Sequence, residues 1–221
     1  FTYTITADGG GLAPYTHDAH TLHLWHLDET APGPAVPAAG VTGSFNLTPV
    51  NGATLGNPSY AGFGLAGDTS AGGDDGLQGN SITVAEVTGA DGAFTMEALI
   101  NVANITDKQG IIMMDAAGAT NVRPFQFAIR GSDQNLLFIE LANGTQFLGA
   151  PIPTTGDNAF VAGEWFHVAA TYNGNENTPD NFKLYWTKLD PSRTEANEIL
   201  STNMTNDLAA SAVFGVGNEF R

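Results

Sequence analysis

Apolar and polar residues alternate with a period of two along much of this chain, which is the pattern of half-buried β-strands. The clearest case is Phe94–Val102 (FTMEALINV). Phe94, Met96 and Ala98 share one face of this segment. No segment has the periodicity of an amphipathic helix of three turns, and the nearest candidate, Ser192–Ile199, is long enough for one or two turns. Short strands without helices predict an all-β sandwich or barrel.

Turn residues separate the predicted strands, and some of these turns predict that the two flanking strands pair as a hairpin. A Gly-Ser-Asp-Gln-Asn turn between Phe125–Arg130 and Leu136–Leu141 predicts a hairpin. Trp165–Tyr172 and Phe182–Thr187 are predicted to form a second hairpin across an Asn-rich loop. The remaining predicted elements are strands at Thr21–Leu27, within Ser44–Asn57, at Ser81–Val87 and at Gly110–Asp115, and a Gly/Asp loop at Ala66–Asn80. We expect the core to contain Phe94, Met96, Ile111, Phe127, Ile129, Leu137, Ile139, Trp165 and Val168.

The first sixteen residues are predicted to form an arm, and residues 17–221 a single domain. Phe1–Thr6 (FTYTIT) alternates like a strand, and three consecutive glycines at 9–11 then break the pattern. The chain begins without Met, as a mature form would after removal of a signal segment, although a trimmed chain would begin in the same way.

Charge and composition exclude several classes of function. The chain has 7 Lys and Arg against 23 Asp and Glu, and its formal net charge is −16. Nucleic acids and anionic membranes are therefore unsuitable partners. The absence of cysteine excludes disulfides, thiol catalysis and Cys-ligated metals. The sequence contains no run of 18 apolar residues, which is the length that a membrane-spanning helix requires. Charged residues make up only 14% and Lys is scarce, which predicts an extracellular or cell-surface protein.

Several segments resemble the laminin-G-like domains of the concanavalin A-like lectin/glucanase jelly rolls. The segments are Thr21–Glu29 (TLHLWHLDE), Ala61–Gly67 (AGFGLAG), Asp91–Val102 (DGAFTMEALINV), Gly163–Gly174 (GEWFHVAATYNG) and Phe182–Trp186 (FKLYW). The resemblance implies an antiparallel jelly-roll β-sandwich of two sheets. It leaves the function open, since this fold carries lectins, enzymes, adhesion modules and spacers.

The chain departs from the pattern of that family in two places. Trp186–Leu200 is a longer and more polar connection than the family's tight turn. The family's domains also close with a further strand, and this chain stops at Phe214–Arg221, where that strand would be about to start. Phe1–Thr6, a neighbouring molecule, or a continuation of a longer protein could each supply it.

Clustered oxygen ligands on a loop are what a hard cation such as calcium requires. Asp68, Asp74 and Asp75 lie in a Gly-rich loop, and Asp28 follows the first predicted strand. Calcium in such loops is also what the resemblance implies. Histidines recur at 17, 20, 23 and 26, but alternation along a strand would prevent these four side chains from converging on one metal.

Carbohydrate binding requires exposed aromatic rings beside amides and carboxylates. The candidate rings are Trp186, Tyr185, Tyr60, Phe147 and Tyr15. We exclude Trp25 and Trp165, which match core positions of the family. Retaining glycoside hydrolysis requires paired carboxylates, whereas Glu97 and Glu140 are isolated strand acids. We expect no catalysis. Glu97 is predicted to form a hydrogen bond to a neighbouring strand, and His167 is predicted to be half-buried and bonded to a backbone group.

These observations predict a secreted, non-catalytic recognition module that binds glycans or an extracellular protein, with calcium structuring its loops. The main alternative is a structural subunit of an extracellular assembly, such as a filament, sheath or surface layer. Strand exchange through the arm or cation bridging would join its copies as an oligomer or polymer. A glycoside hydrolase is a minor alternative.

Overall fold

The structure is a computed structural model that describes residues 13–30, 32–41, 44–72, 74–83, 92–115, 123–140, 146–206, 208 and 211–217. The predicted strand at Phe1–Thr6 lies outside these ranges, as does the end of the predicted strand Ser81–Val87. Within these ranges, no helix is long and apolar enough to span a membrane.

The described residues form thirteen β-strands. They are β1 (Thr48–Val50), β2 (Thr54–Pro58), β3 (Leu65–Asp68), β4 (Gly76–Thr83), β5 (Phe94–Asn101), β6 (Gln109–Asp115), β7 (Phe125–Arg130), β8 (Asn135–Glu140), β9 (Gln146–Pro151), β10 (Trp165–Tyr172), β11 (Phe182–Lys188), β12 (Glu198–Thr202) and β13 (Ser211–Val216).

Two antiparallel sheets of unequal width make up the sandwich. The larger sheet has the strand order β1-β4-β13-β6-β7-β8-β9, and the smaller has the order β12-β11-β10-β5. Strands β2 and β3 form a separate two-stranded ribbon. The all-β prediction and both predicted hairpins, β7–β8 and β10–β11, are confirmed.

Aromatic rings from both sheets meet in the core. The ring of Phe138 on β8 lies 5.6 Å from Phe94, 6.0 Å from Phe125 and 5.2 Å from Phe182, measured between centroids. Phe94 and Phe182 belong to the smaller sheet, whereas Phe125 and Phe138 belong to the larger one. Burial of such large apolar rings is the main force that holds the two sheets face to face.

Alternation along β10 separates the core face of the smaller sheet from its outer face. Phe166, Val168, Ala170 and Tyr172 belong to the core cluster. The intervening residues therefore point to the opposite side. Those outward residues are Trp165, His167, Ala169 and Thr171.

Three residues of the expected core are placed differently by the structure. On β8, Leu136 and Phe138 face the core, while Leu137 and Ile139 are buried outside the core cluster, on the opposite side of the sheet. Trp165 is only half-buried and also lies outside that cluster. Each of these three side chains lies on the opposite face of its strand from the one we expected, because a shift of one position along a strand changes the face.

The predicted strand at Thr21–Leu27 is wrong, because this segment pairs with no strand in the described structure. Side chains hold it instead. Trp25 Nε1–H donates to the carbonyl oxygen of Phe45 at 2.8 Å, and its ring packs near those of His23, Phe45 and Phe214. Leu27 then has a φ of 59°, which an extended strand does not adopt.

Other elements also differ from the sequence prediction. The predicted loop Ala66–Asn80 contains most of β3 and the start of β4, so the loop itself is restricted to residues 69–75. Ser192–Ile199 is not helical: it begins with a turn and ends in β12. Strands β3, β9, β12 and β13 were not predicted, and the segment Ser44–Asn57, for which one short strand was predicted, contains β1 and most of β2. Strand β13 pairs with both β4 and β6, so the segment before the expected closing strand lies inside the larger sheet.

The loop between β10 and β11 is fixed by asparagine side chains. Asn181 is buried, and its Nδ2 donates to the carbonyl oxygens of Asn175 at 2.9 Å and Met204 at 2.8 Å. Its Oδ1 accepts from the Met204 N–H at 2.6 Å. One side chain thus joins this loop to the segment that follows β12.

We expect Asn181→Ala to lower the free energy of unfolding by about 2–3 kcal/mol, because it leaves buried backbone groups without partners. Asn177→Ala is the matched control. Asn177 is exposed in the same loop, and its own N–H keeps its bond to Asn175 Oδ1, so we expect a change below about 0.5 kcal/mol. Urea unfolding measures both variants. Equal effects would contradict the bridging role of Asn181.

Candidate functional site

The outer face of the smaller sheet carries a row of three side chains across neighbouring strands. Ala169 on β10 is opposite Glu97 on β5 and opposite Tyr185 on β11. Directly opposed residues project to the same side of a sheet. The small Ala169 therefore forms a floor between Glu97 and Tyr185, whose Cα atoms are about 10 Å apart at two strand spacings.

A second row on this face adds a buried imidazole. His167 is opposite Leu99 on β5, and only 1% of its surface is exposed. His167 Nε2–H donates to Glu97 Oε2 at 3.1 Å, and the carboxylate is partly open to solvent. The expected structural bond of Glu97 to a neighbouring strand is confirmed. The described hydrogen bond of the histidine joins it to this carboxylate, whereas we expected a backbone group.

An open cleft borders this face and continues past β5 to residues of the larger sheet, with a total volume of about 2360 Å³. Its lining here includes Tyr15, Glu97, Asn101, Trp165 and Tyr185. The Tyr15 ring lies 6.5 Å from the His167 ring, and the Tyr15 carbonyl oxygen lies 2.8 Å from His26 Nε2. The cleft therefore places aromatic rings beside a carboxylate and an amide.

Of the five predicted ligand-binding rings, Tyr185 and Tyr15 are half-buried in this cleft. The prediction for Trp186 is wrong: this ring is fully buried and packs 4.6 Å from Phe166 in the core. Tyr60 lies in the turn after β2, against Phe63. Phe147 is 53% exposed on β9, which belongs to the other sheet. The structure does not bring Tyr60 or Phe147 to the cleft.

Trp165 is the aromatic residue that the sequence analysis missed. The ring is half-buried on the outer face, and Asn101 is its cross-strand partner. The signal was available in the sequence, because alternation with Phe166 and Val168 places Trp165 on the same side as His167. We excluded Trp165 because it matched a core position of the family.

The two strand acids do not form a pair. Glu97 belongs to the smaller sheet, while Glu140 is fully buried on β8 of the larger sheet, where Gln146 Nε2 approaches it at 3.5 Å. The histidines are also dispersed. His17 and His20 are exposed, His23 contacts Ser44 Oγ at 3.0 Å, and His26 contacts Tyr15.

The comparisons with known proteins agree with this architecture. A laminin-G-type family model, described as the concanavalin A-like lectin/glucanases superfamily, matches residues 72–210, which is more than half of the chain. The chain belongs to the concanavalin A-like lectin/glucanase superfamily. The match begins after Thr21–Glu29 and Ala61–Gly67, so it does not include these two segments of the resemblance.

A solved structure is similar to part of this superfamily member. It is the full-length tailspike protein 2 from the Escherichia coli O157:H7 bacteriophage CAB120, with 16% identity and a TM-score of 0.40. The similarity covers 66% of this chain and 20% of the tailspike chain, so the chain spans about a fifth of that protein. A comparison with curated proteins found no match.

The predicted calcium ligands of this superfamily member differ in their surroundings. Asp28, Asp68 and Asp74 are exposed. Asp75 is 5% exposed: its Oδ1 accepts from the Gly52 N–H at 2.6 Å, while its buried Oδ2 has no hydrogen-bond partner among the residues that the structure describes. In the described part of the chain, no three His, Asp or Glu side chains gather closely enough to hold a metal ion. Calcium stays a prediction, and Asp75 is the residue on which to test it.

We expect calcium to raise the melting temperature of the natural chain but not that of Asp75→Asn. At a calcium concentration 100 times Kd the gain is about 2.7 kcal/mol. In chelator, Asp75→Asn should be at least as stable as the natural chain, because the amide oxygen still accepts from Gly52 and no charge is buried. The exposed Asp68→Asn is the control and should keep the calcium effect. A natural chain that does not respond to calcium would contradict the prediction.

Proposed function

We propose that this domain is an extracellular, non-catalytic carbohydrate-binding module whose ligand lies on the outer face of the smaller sheet. The observation that carries the proposal is the placement of Trp165, Tyr185 and Glu97 along one cleft. Aromatic rings stack on the apolar faces of sugars, and carboxylate and amide oxygens accept hydrogen bonds from sugar hydroxyls.

The dimensions of the face suit a sugar chain of more than one residue. Trp165 precedes Ala169 by four positions on β10, so the backbone between them spans about 13 Å. Tyr185 lies across from Ala169 on the next strand. A ligand that contacts both rings therefore has to be extended along β10, with Asn101 near one end and Glu97 near the other.

The charge of the chain favours a neutral glycan. A net charge of −16 repels sulfated or uronic-acid polymers at low ionic strength. Lys183 is the only Lys or Arg among the outward side chains of β5, β10 and the cleft-lining part of β11, and its Nζ lies 2.6 Å from Glu198 Oε2. The hydrogen bond to Glu198 raises the pKa of Lys183, and the positive charge of Lys183 is already paired with this carboxylate.

The surroundings of Glu97 favour binding over hydrolysis. Hydrolysis with retention requires a second carboxyl group about 5–5.5 Å away. The nearest polar partner of Glu97 on this face is His167, and Glu140 lies on the other sheet. Glu97 therefore suits the role of a fixed hydrogen-bond acceptor.

We expect Trp165→Ala and Tyr185→Ala each to weaken binding of a neutral oligosaccharide about tenfold or more, since one stacked ring contributes about 1.4 kcal/mol. A glycan array identifies the ligand, and calorimetry measures the variants. Phe147→Ala is the control, because Phe147 is an exposed ring on the other sheet. An equal loss in Phe147→Ala, or unchanged binding in both site variants, would contradict this location.

We expect Glu97→Gln to weaken binding of the same oligosaccharide, while the natural chain releases no reducing sugar from it. The amide keeps one acceptor but loses the charge that strengthens hydrogen bonds from hydroxyls. Release of reducing sugar by the natural chain that disappears in Glu97→Gln would show a hydrolase instead. A reducing-sugar assay together with calorimetry separates the two functions.

A further inference from the structure

The long polar connection between β11 and β12 contacts the outer side of the smaller sheet. Thr187 on β11 is opposite His167, so its side chain points outward with that of His167. The Asn197 N–H donates to Thr187 Oγ1 at 2.8 Å, and Asn197 Nδ2 donates to the carbonyl oxygen of Trp186 at 3.1 Å. The connection is therefore fixed beside the proposed glycan face, which makes no use of it.

The loop between β9 and β10 is tied to this connection by two hydrogen bonds. Arg193 Nη2–H donates to the carbonyl oxygen of Asp157 at 2.9 Å. The Lys188 N–H donates to Asn158 Oδ1 at 3.1 Å. Because the two loops hold each other in place, a ligand bound between them would order little of the chain, which lowers the entropy that binding costs.

A polar depression of about 590 Å³ lies where these two loops meet. Its lining provides three carboxylates, two cationic side chains and two hydroxyls, from Asp157, Lys188, Asp190 and Ser192–Glu195. The volume is within the roughly 300–1,000 Å³ of small-molecule sites. Every lining residue belongs to the range 146–206, which the structure describes without a gap.

The mixture of groups in this depression suits an uncharged polyol better than an ion. An anion would be repelled by three carboxylates, and a cation by an ammonium and a guanidinium group. A sugar hydroxyl both donates and accepts hydrogen bonds, so it can pair with either kind of group. A neutral sugar is therefore the ligand whose chemistry matches the whole lining.

Two of the lining side chains are available to such a ligand. Asp190 Oδ1 already accepts from the Ser192 N–H at 2.8 Å and from its hydroxyl at 2.7 Å, and these bonds lower the pKa of Asp190. Asp190 therefore fixes the turn. The side chains of Thr194 and Glu195 are exposed and have no hydrogen-bond partner among the described residues.

The depression adjoins one end of the proposed glycan face. The Leu189 N–H donates to the carbonyl oxygen of Trp165 at 2.9 Å, and Lys188, which lines the depression, is the preceding residue. Trp165 begins β10, and Ala169, beside Tyr185, lies four positions further on. A glycan that extends along β10 from Tyr185 past Trp165 therefore reaches the depression next.

We propose that this depression, the loop subsite, binds a further residue of the same neutral glycan beyond Trp165. The proposal rests on the proposed function of the outer face. The Thr194 hydroxyl and the Glu195 carboxylate hydrogen-bond to hydroxyls of that sugar residue. The loop subsite thus makes the domain select longer chains over short ones.

Nuclear magnetic resonance shows which residues a sugar contacts. The probes are the hexasaccharides of the malto, cello, laminari and manno series, each titrated into the ¹⁵N-labelled natural chain. We expect a hexasaccharide that shifts the indole N–H signal of Trp165 to shift the amide signals of Arg193, Thr194 and Glu195 as well. Both sets of shifts should saturate at the same concentration, because one ligand molecule contacts both places.

Calorimetry with the same hexasaccharide measures the contribution of the loop subsite. We expect Thr194→Val and Glu195→Gln each to weaken binding about fivefold, because each change removes hydrogen bonds to sugar hydroxyls. Thr155→Val is the matched control and should leave binding unchanged. Thr155 is an exposed threonine of the β9–β10 loop that lines neither the cleft nor the loop subsite.

The failure of this proposal differs from that of the proposed function. Hexasaccharide binding that shifts the Trp165 signal but leaves the loop signals and both loop variants unchanged would overturn the loop subsite alone. Shifts of the loop signals without the Trp165 signal would contradict the outer-face site and also the continuous path from it. An equal loss in Thr155→Val would show that the loop variants act through the fold, and would overturn the loop subsite.

Discussion

The contact between Phe138 and the rings of the opposite sheet is the interaction on which the rest of the structure depends. It brings β5 and β11 against β8, and burial of these rings fixes which side of each strand faces inward. A register slip of one residue would expose Phe166, Val168 and Ala170 and would bury polar side chains in their place. The same constraint that builds the core therefore dictates which side chains the outer face presents.

The composition of the outer face follows from that constraint. On β10 the outward positions alternate with large core residues, and they carry Trp165, His167, Ala169 and Thr171. The small Ala169 leaves room between Glu97 and Tyr185, while burial of His167 beneath Tyr15 fixes the carboxylate of Glu97. The face thus combines a rigid floor with aromatic walls, and rigid walls lower the entropy that binding costs.

The alternation of apolar and polar residues predicted β5, β7 and β10 correctly, because the two faces of each of these strands carry different kinds of side chain. The sequence analysis excluded Trp165 because it matched a core position of the family, whereas alternation places it on the outer face. It took Trp186 for a ligand-binding ring, although Trp186 follows Phe182 and Leu184 on the inner face. Thr21–Leu27 has a strand-like sequence but pairs with no strand among the described residues, since pairing depends on residues far along the chain. Strand β13 was missed for the same reason, because its identity depends on its position between β4 and β6.

The unequal width of the two sheets links the binding face to the edge of the sandwich. A four-stranded sheet cannot cover a seven-stranded one, so the cleft continues from the outer face, around β5, to the inner surface of β6. Strand β5 provides Glu97 to the binding face, and in the described part of the chain it pairs with β10 alone. An edge strand paired on one side opens locally more readily than one paired on both. The position of Glu97 therefore depends on its bond to His167 and on the pairing of β5 with β10.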